Sequence, residues 1–148
     1  MTTPIMYSPP SPFATSSSRA SAMYSKIGLE TMVFNASPHR LVAMLFDGVF
    51  ESMSQAIIGI QTRNNELKSR NLIRCVRILD EGLKSALNMD AGSLSKDLND
   101  LYAYLCMRLT YANLHSDVDA IMECRNLLQP VKDAWLSIGE EVVAKKLK

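Results

Sequence analysis

Histidine and cysteine are scarce in this 148-residue chain, at two and three copies, and the scarcity excludes whole classes of chemistry. Neither His39 nor His115 has a Cys, His or carboxylate at ligand spacing on its own helix, so no metal site is expected. The Glu-x-x-His pairs of di-iron bundles are missing as well. Cys75, Cys106 and Cys124 are odd in number and far apart, which fits neither a disulfide framework nor a zinc site, and they read as buried free thiols. No glycine-rich phosphate loop occurs, and Ser37 lacks the partner pattern of a nucleophile. Net charge is nearly absent: 16 basic against 15 acidic residues leave +1, without the positive surplus of a nucleic-acid or membrane-surface binder. The apolar runs are short and broken by charges, and the N-terminus lacks a basic start followed by an apolar stretch. Both features argue against a signal peptide and for a cytosolic address. No enzyme activity and no cofactor are expected.

What the chain does have is a sharp change of character near residue 37. Residues 1–22 are rich in Ser, Thr and Pro, and five of the six prolines fall between Pro4 and Pro38. So little apolar surface cannot offset the entropy of ordering the segment, which predicts a disordered extension, with Met23 as an alternative functional start. Residues 23–36 form a second zone, with Tyr24, Ile27 and Leu29 supplying apolar side chains without a long helical register. The expectation is a cap packed on the body of the protein. Ser37 then offers its hydroxyl to free amide groups, and Pro38 suits a first helical position because its missing N–H has no partner there to lose.

From Pro38 onward the spacing of apolar residues is helical. The first helix is predicted to end near Thr62, with Leu41, Leu45 and Val49 on one face and Val42, Phe46 and Phe50 on the next. That is wider than one core stripe, and the second face is the one expected to receive the cap. Gly48 and Gly59 each weaken this helix by about 1 kcal/mol relative to Ala, either through simple tolerance or because a neighbouring helix comes close. Asn64-Asn65 makes a turn into a second helix reaching about Met89, with Leu72, Val76, Leu79, Leu83 and Ala86 inward. Ser93 or Ser95 would cap a third helix ending near His115, and Asp117 a fourth, whose apolar face is Val118, Ile121, Met122, Leu128, Val131, Trp135 and Ile138. Pro130 falls inside this last pattern and is expected to kink it near Asn126. Short turns favour antiparallel neighbours. The predicted architecture is all-α: an antiparallel up-and-down four-helix bundle over residues 37–140, with an N-terminal cap segment and a frayed charged tail at 141–148.

Apolar residues remain after the core is filled. Tyr104, Met107, Tyr111 and Leu114 recur at steps of three and four on a displaced face of the third helix, and Ile73 and Ile78 add to the excess from the second. The plain reading is a broad core. As a set they better suit a groove for an amphipathic partner helix, to which the nine methionines lend adaptability. Arg70, Arg74, Arg77 and Lys84 line one side of the second helix and could steer an acidic partner, although a solvated helix face is the simpler reading.

Several segments resemble one family. Tyr24-Ser-Lys-Ile-Gly-Leu-Glu-Thr, Ala36-Ser-Pro-His-Arg-Leu and Met44-Leu-Phe-Asp-Gly are similar to the N-terminal signature of the flagellar secretion chaperone FliS. Leu101-Tyr-Ala-Tyr-Leu, Arg108-Leu-Thr-Tyr-Ala-Asn-Leu-His-Ser-Asp and Ala134-Trp135 resemble its third helix, the following turn and the end of its last helix. Phe46 stands where members often have Tyr. The resemblance spans about Tyr24 to Ile138 and implies a non-enzymatic cytosolic chaperone that binds the disordered C-terminal segment of flagellin, blocks premature assembly and delivers it to the membrane export gate. Some members also bind the flagellar anti-sigma factor. On that reading Ile73, Ile78, Tyr104, Met107, Tyr111 and Leu114 would meet the client, while Trp135 is structural.

Two other classes compete. In a histidine phosphotransfer module the acceptor sits exposed in mid-helix, whereas His39 opens a helix and His115 closes one. A structural adaptor or homodimer is the stronger rival, because surplus apolar surface equally marks self-association.

Overall fold

A computed structural model describes residues 37–147. Four long helices make up this part of the chain: α1 (Pro38–Gln61), α2 (Asn65–Arg77), α3 (Ser93–His115) and α4 (Val118–Leu147). Among the described residues there is no strand. Each helix packs on the ones before and after it in sequence, and α4 returns to α1, so the four close a ring with no diagonal backbone contact among the described residues. The arrangement is an up-and-down bundle. The expected cap residues Tyr24, Ile27 and Leu29, and the extension before them, lie outside the described residues.

Local chemistry sets most of the boundaries. The Ser37 Oγ accepts from the Arg40 N–H at 3.1 Å, with Pro38 in the first turn. The Asn64 Oδ1 accepts from Leu67 N–H at 3.0 Å to open α2, and Asp117 Oδ1 accepts from Ala120 N–H at 3.2 Å to open α4. Such caps are each worth about 1 kcal/mol. Helix α3 starts differently from expectation. Gly92, at φ +103°, precedes it without a side-chain cap, and Ser95 is buried with its hydroxyl unpartnered, so neither Ser93 nor Ser95 does the capping. The left-handed backbone at Gly92 is what makes glycine the fitting residue there.

Helix α1 is the spine of the core. Leu41, Val42, Phe46, Val49 and Met53 are all fully buried, each contributing about 1.5–3 kcal/mol. Phe50 is covered from α4: the Lys132 ammonium lies 4.8 Å and the Arg125 guanidinium 5.4 Å from its ring centre. That part of the second face is therefore not left open for a cap. By length and composition α1 could cross a membrane, with a mean hydropathy of 1.4 over its most apolar stretch, but 61% of that stretch is buried inside the bundle.

The glycines report where helices touch. At Gly59 a Cβ would sit 2.6 Å from the backbone nitrogen of Lys68, so α1 and the start of α2 approach as closely as backbone allows. At Gly82 it would meet both δ-carbons of Leu45 at 3.2 Å. Gly82 lies in a π-helical stretch, Ile78–Lys84, that continues α2 with a wider turn. An unbroken α-helix to Met89 is thus corrected: α2 widens at Ile78, and a short 3-10 turn, Met89–Ala91, leads to α3.

Helix α4 runs through Pro130 and extends to Leu147. Past Pro130 it is clasped to the start of α1. The Trp135 indole donates from Nε1 to the His39 carbonyl at 3.0 Å, and His39 Nε2 donates to the Trp135 carbonyl at 2.7 Å. The two rings stack 4.5 Å apart at 15°. A Cβ at position 139 would fall 2.0 Å from the imidazole, so the clasp requires Gly139.

Candidate binding surface

The cysteines offer no reactive centre. All three are free, and burial pushes the Cys75 and Cys124 thiols up to about 12 and Cys106 up to about 11. Thiols so far from ionisation are poor nucleophiles and poor ligands. Among the described residues no three His, Cys, Asp or Glu side chains converge as metal ligands would.

The notable surface is apolar and faces outward. On α3, Leu98, Tyr102, Leu105, Leu109 and Ala112 fill the core, while Leu114 is 79% and Met107 60% exposed on the opposite side of the helix. Tyr104 and Tyr111 are exposed too, but contacts fix them, Tyr104 to α4 and Tyr111 to its neighbours on α3. The Tyr104 hydroxyl donates to the Glu123 carboxylate, which also takes Arg108 at 3.0 Å. The same guanidinium lies 4.9 Å from the Tyr111 ring centre, and His115 packs against that ring at 4.2 Å. The hydrogen bond from Tyr104, with the Arg108 charge nearby, holds the Glu123 carboxyl below the usual carboxylate range. The same bond holds the Tyr104 phenol above its ordinary value. Long aromatic side chains that are already positioned lose little entropy on meeting a partner.

Ile73, 55% exposed, belongs to a separate feature. It lines a cleft of about 180 Å³ between α2 and α3 with Leu72, Val76, Leu109, Thr110 and Asn113. Ser69 donates to Asn113 Oδ1 at 3.0 Å and Lys68 to Ser116 Oγ at 2.8 Å, tying α2 to α3 at one end of the cleft. None of the four outward residues of α3 lines it.

This geometry is accompanied by a clear kinship. Residues 20–142 match the family model described as flagellar protein FliS. The chain belongs to the FliS family. Curated relatives named flagellar secretion chaperone FliS are 35% identical in Salmonella typhimurium, over 78% of this chain and 87% of that protein, and 37% identical in Escherichia coli K12, over 76% and 83%. One in Vibrio cholerae is 30% identical over 80% and 87%.

Within this FliS fold one expected client contact has to be corrected. Ile78 is fully buried. It lies one turn beyond Cys75, whose thiol points at the Val49 carbonyl of α1 at 3.5 Å, so this side of α2 faces the core. Two residues read as core are the reverse: Met122 is 39% and Ile138 46% exposed. The cleft walls Thr110 and Asn113 were not legible as a site, because a single Thr and Asn on an amphipathic helix signal nothing until a second helix is set beside them.

Proposed function

We propose that this chain is a cytosolic, non-enzymatic export chaperone that holds the C-terminal segment of flagellin as amphipathic helices on the outer face of α3 and the adjoining cleft against α2. The observation that carries the reading is the exposure of Ile73, Met107, Tyr111 and Leu114 beside a fully packed core. A compact domain gains nothing from leaving such residues in water, and an amphipathic segment laid over them buries its own apolar stripe at the same time. The names of the Salmonella and Escherichia relatives point the same way. A client that is disordered when free must be ordered on binding, so affinity has to come from a long interface rather than a single contact.

Covering the client's apolar stripe would keep it from pairing with other flagellin molecules and leave it fit for delivery to the export gate. Tyr24, Ile27 and Leu29 are proposed to cover part of the same side when no client is present, so that Ile27→Ser with Leu29→Ser tightens binding. A filament-growth assay tests the main reading: the chain at equimolar amount should stop purified flagellin from polymerising, and unchanged growth would refute it.

A further inference from the structure

The basic row on α2 and its π-helical continuation holds three ordinary residues and one that is not. Arg70 pairs with Glu66, Arg77 with Glu81 and Lys84 with Asp80, each across one helical turn, at 3.9, 3.0 and 3.8 Å. Arg74 has no such neighbour available. The residues one turn away are Arg70 and Asn71 before it and Arg77 and Ile78 after it, two of them cationic. Among the described residues no carboxylate reaches its guanidinium, and its Nε–H is buried without an acceptor. A solvated helix face would leave that N–H in water. A half-buried cation between two other cations, lining a trough and with no carboxylate in reach, is an open position for an anion.

The surroundings say what kind of anion. Arg70, Arg74 and Arg77 line an open trough of about 540 Å³ on the outer side of α2, with Glu66 at one end. Ile73 and Arg77 also line the apolar cleft against α3, so trough and cleft share a wall. A helix seated over Ile73 would lay its apolar stripe in the cleft and one flank along the trough. We infer that the occupant of this groove is an amphipathic helix whose flank carries carboxylates about one turn apart, one of which completes Arg74. Arg's planar fork favours a carboxylate taken by two hydrogen bonds. The segment of this chain before residue 37 is poorly suited to the task, since Glu30 is its only acidic residue against Arg19 and Lys26.

This inference rests on the flagellin reading for the identity of the client but goes further, because it fixes the charge pattern the client must carry and the residue that selects it. The test is calorimetric titration of the full chain with the cognate flagellin C-terminal segment at about 0.05 and about 0.5 M salt, a range that spans strong and weak screening. Arg74→Glu should weaken binding about tenfold or more at low salt and flatten its salt dependence. Arg74→Gln, which keeps the size and removes the charge, should do so less. A client with its matching carboxylate changed to Lys should bind Arg74→Glu better than it binds the unaltered chain. Ile73→Ser separates the two claims. If Ile73→Ser weakens binding while Arg74→Glu and Arg74→Gln bind as the unaltered chain does, the acidic flank is wrong and the client reading stands. If the unaltered chain does not bind the segment at all, the client reading itself fails.

Discussion

Helices α1 and α3 are almost equal in length, 24 and 23 residues, and use their apolar residues in opposite ways. On α1 two neighbouring faces are covered, and Leu41, Val42, Leu45 and Phe46 are all but inaccessible. On α3 one stripe is covered and a second, led by Met107 and Leu114, stands in water. Apolar content alone does not separate the two helices. What differs is whether the fold supplies a neighbour for every apolar face, and where it does not, the residues are free to meet another chain.

The comparison is broken most severely by emptying the covered helix. Leu45→Ala should cost about 2–5 kcal/mol in chemical denaturation, since its cavity opens against Gly82 and the α2 backbone, whereas Met107→Ala should stay within about 0.5 kcal/mol. Equal costs would mean that α3's outer face is packed after all. Next in size is the close approach of α1 to α2. Gly59→Ala improves helix propensity yet should destabilise by about 1–3 kcal/mol, because the new methyl meets backbone that cannot step aside. A gain in stability would show that the two helices separate easily there.

On the exposed side the expected effects fall on binding. Tyr104→Ala with Tyr111→Ala should weaken flagellin binding by more than about 1 kcal/mol with the melting curve unchanged; undiminished affinity would move the site to another face.

A smaller effect follows from the thiols. Cys75 ionises near 9 when unfolded and about 12 when folded, so its contribution is complete below pH 9 and is lost as pH rises toward 12. By pH 10 its share of the loss should reach roughly 1 kcal/mol, read as a fall in the denaturation midpoint that is smaller in Cys75→Ala, where only Cys106 and Cys124 still contribute. The smallest change concerns the Tyr104–Glu123 contact. Glu123 is depressed and Tyr104 raised, so the contact should persist from the carboxylate range up to the phenol range and loosen as pH falls through the folded Glu123 value. Proton-resolved NMR of Glu123 would follow it.

Much of α1 could be read before the structure, because a cap, a proline and an apolar period agree over Ser37 to Val49. The start of α4 was legible for the same reason, in Asp117. The widening at Ile78 was not. It arises where Gly82 meets Leu45 across the bundle, a contact between residues nearly forty apart, and local sequence carries no trace of it. Which apolar residues face out was legible for Met107 and Leu114 but not for Ile78 or Met122, since helical spacing gives angles around an axis and not the positions of the neighbours. Arg74 is the mixed case: its lack of a carboxylate one turn away is written in the sequence, and only its burial turns that lack into a site.

On the proposed function, the face that α3 leaves uncovered, with the adjoining cleft, holds the flagellin C-terminal segment. Calorimetric titration of the chain with full-length flagellin, and with flagellin lacking that segment, decides this. Binding to the first should saturate, with a negative heat-capacity change from apolar burial, and binding to the second should be absent; equal binding to both would refute the assignment.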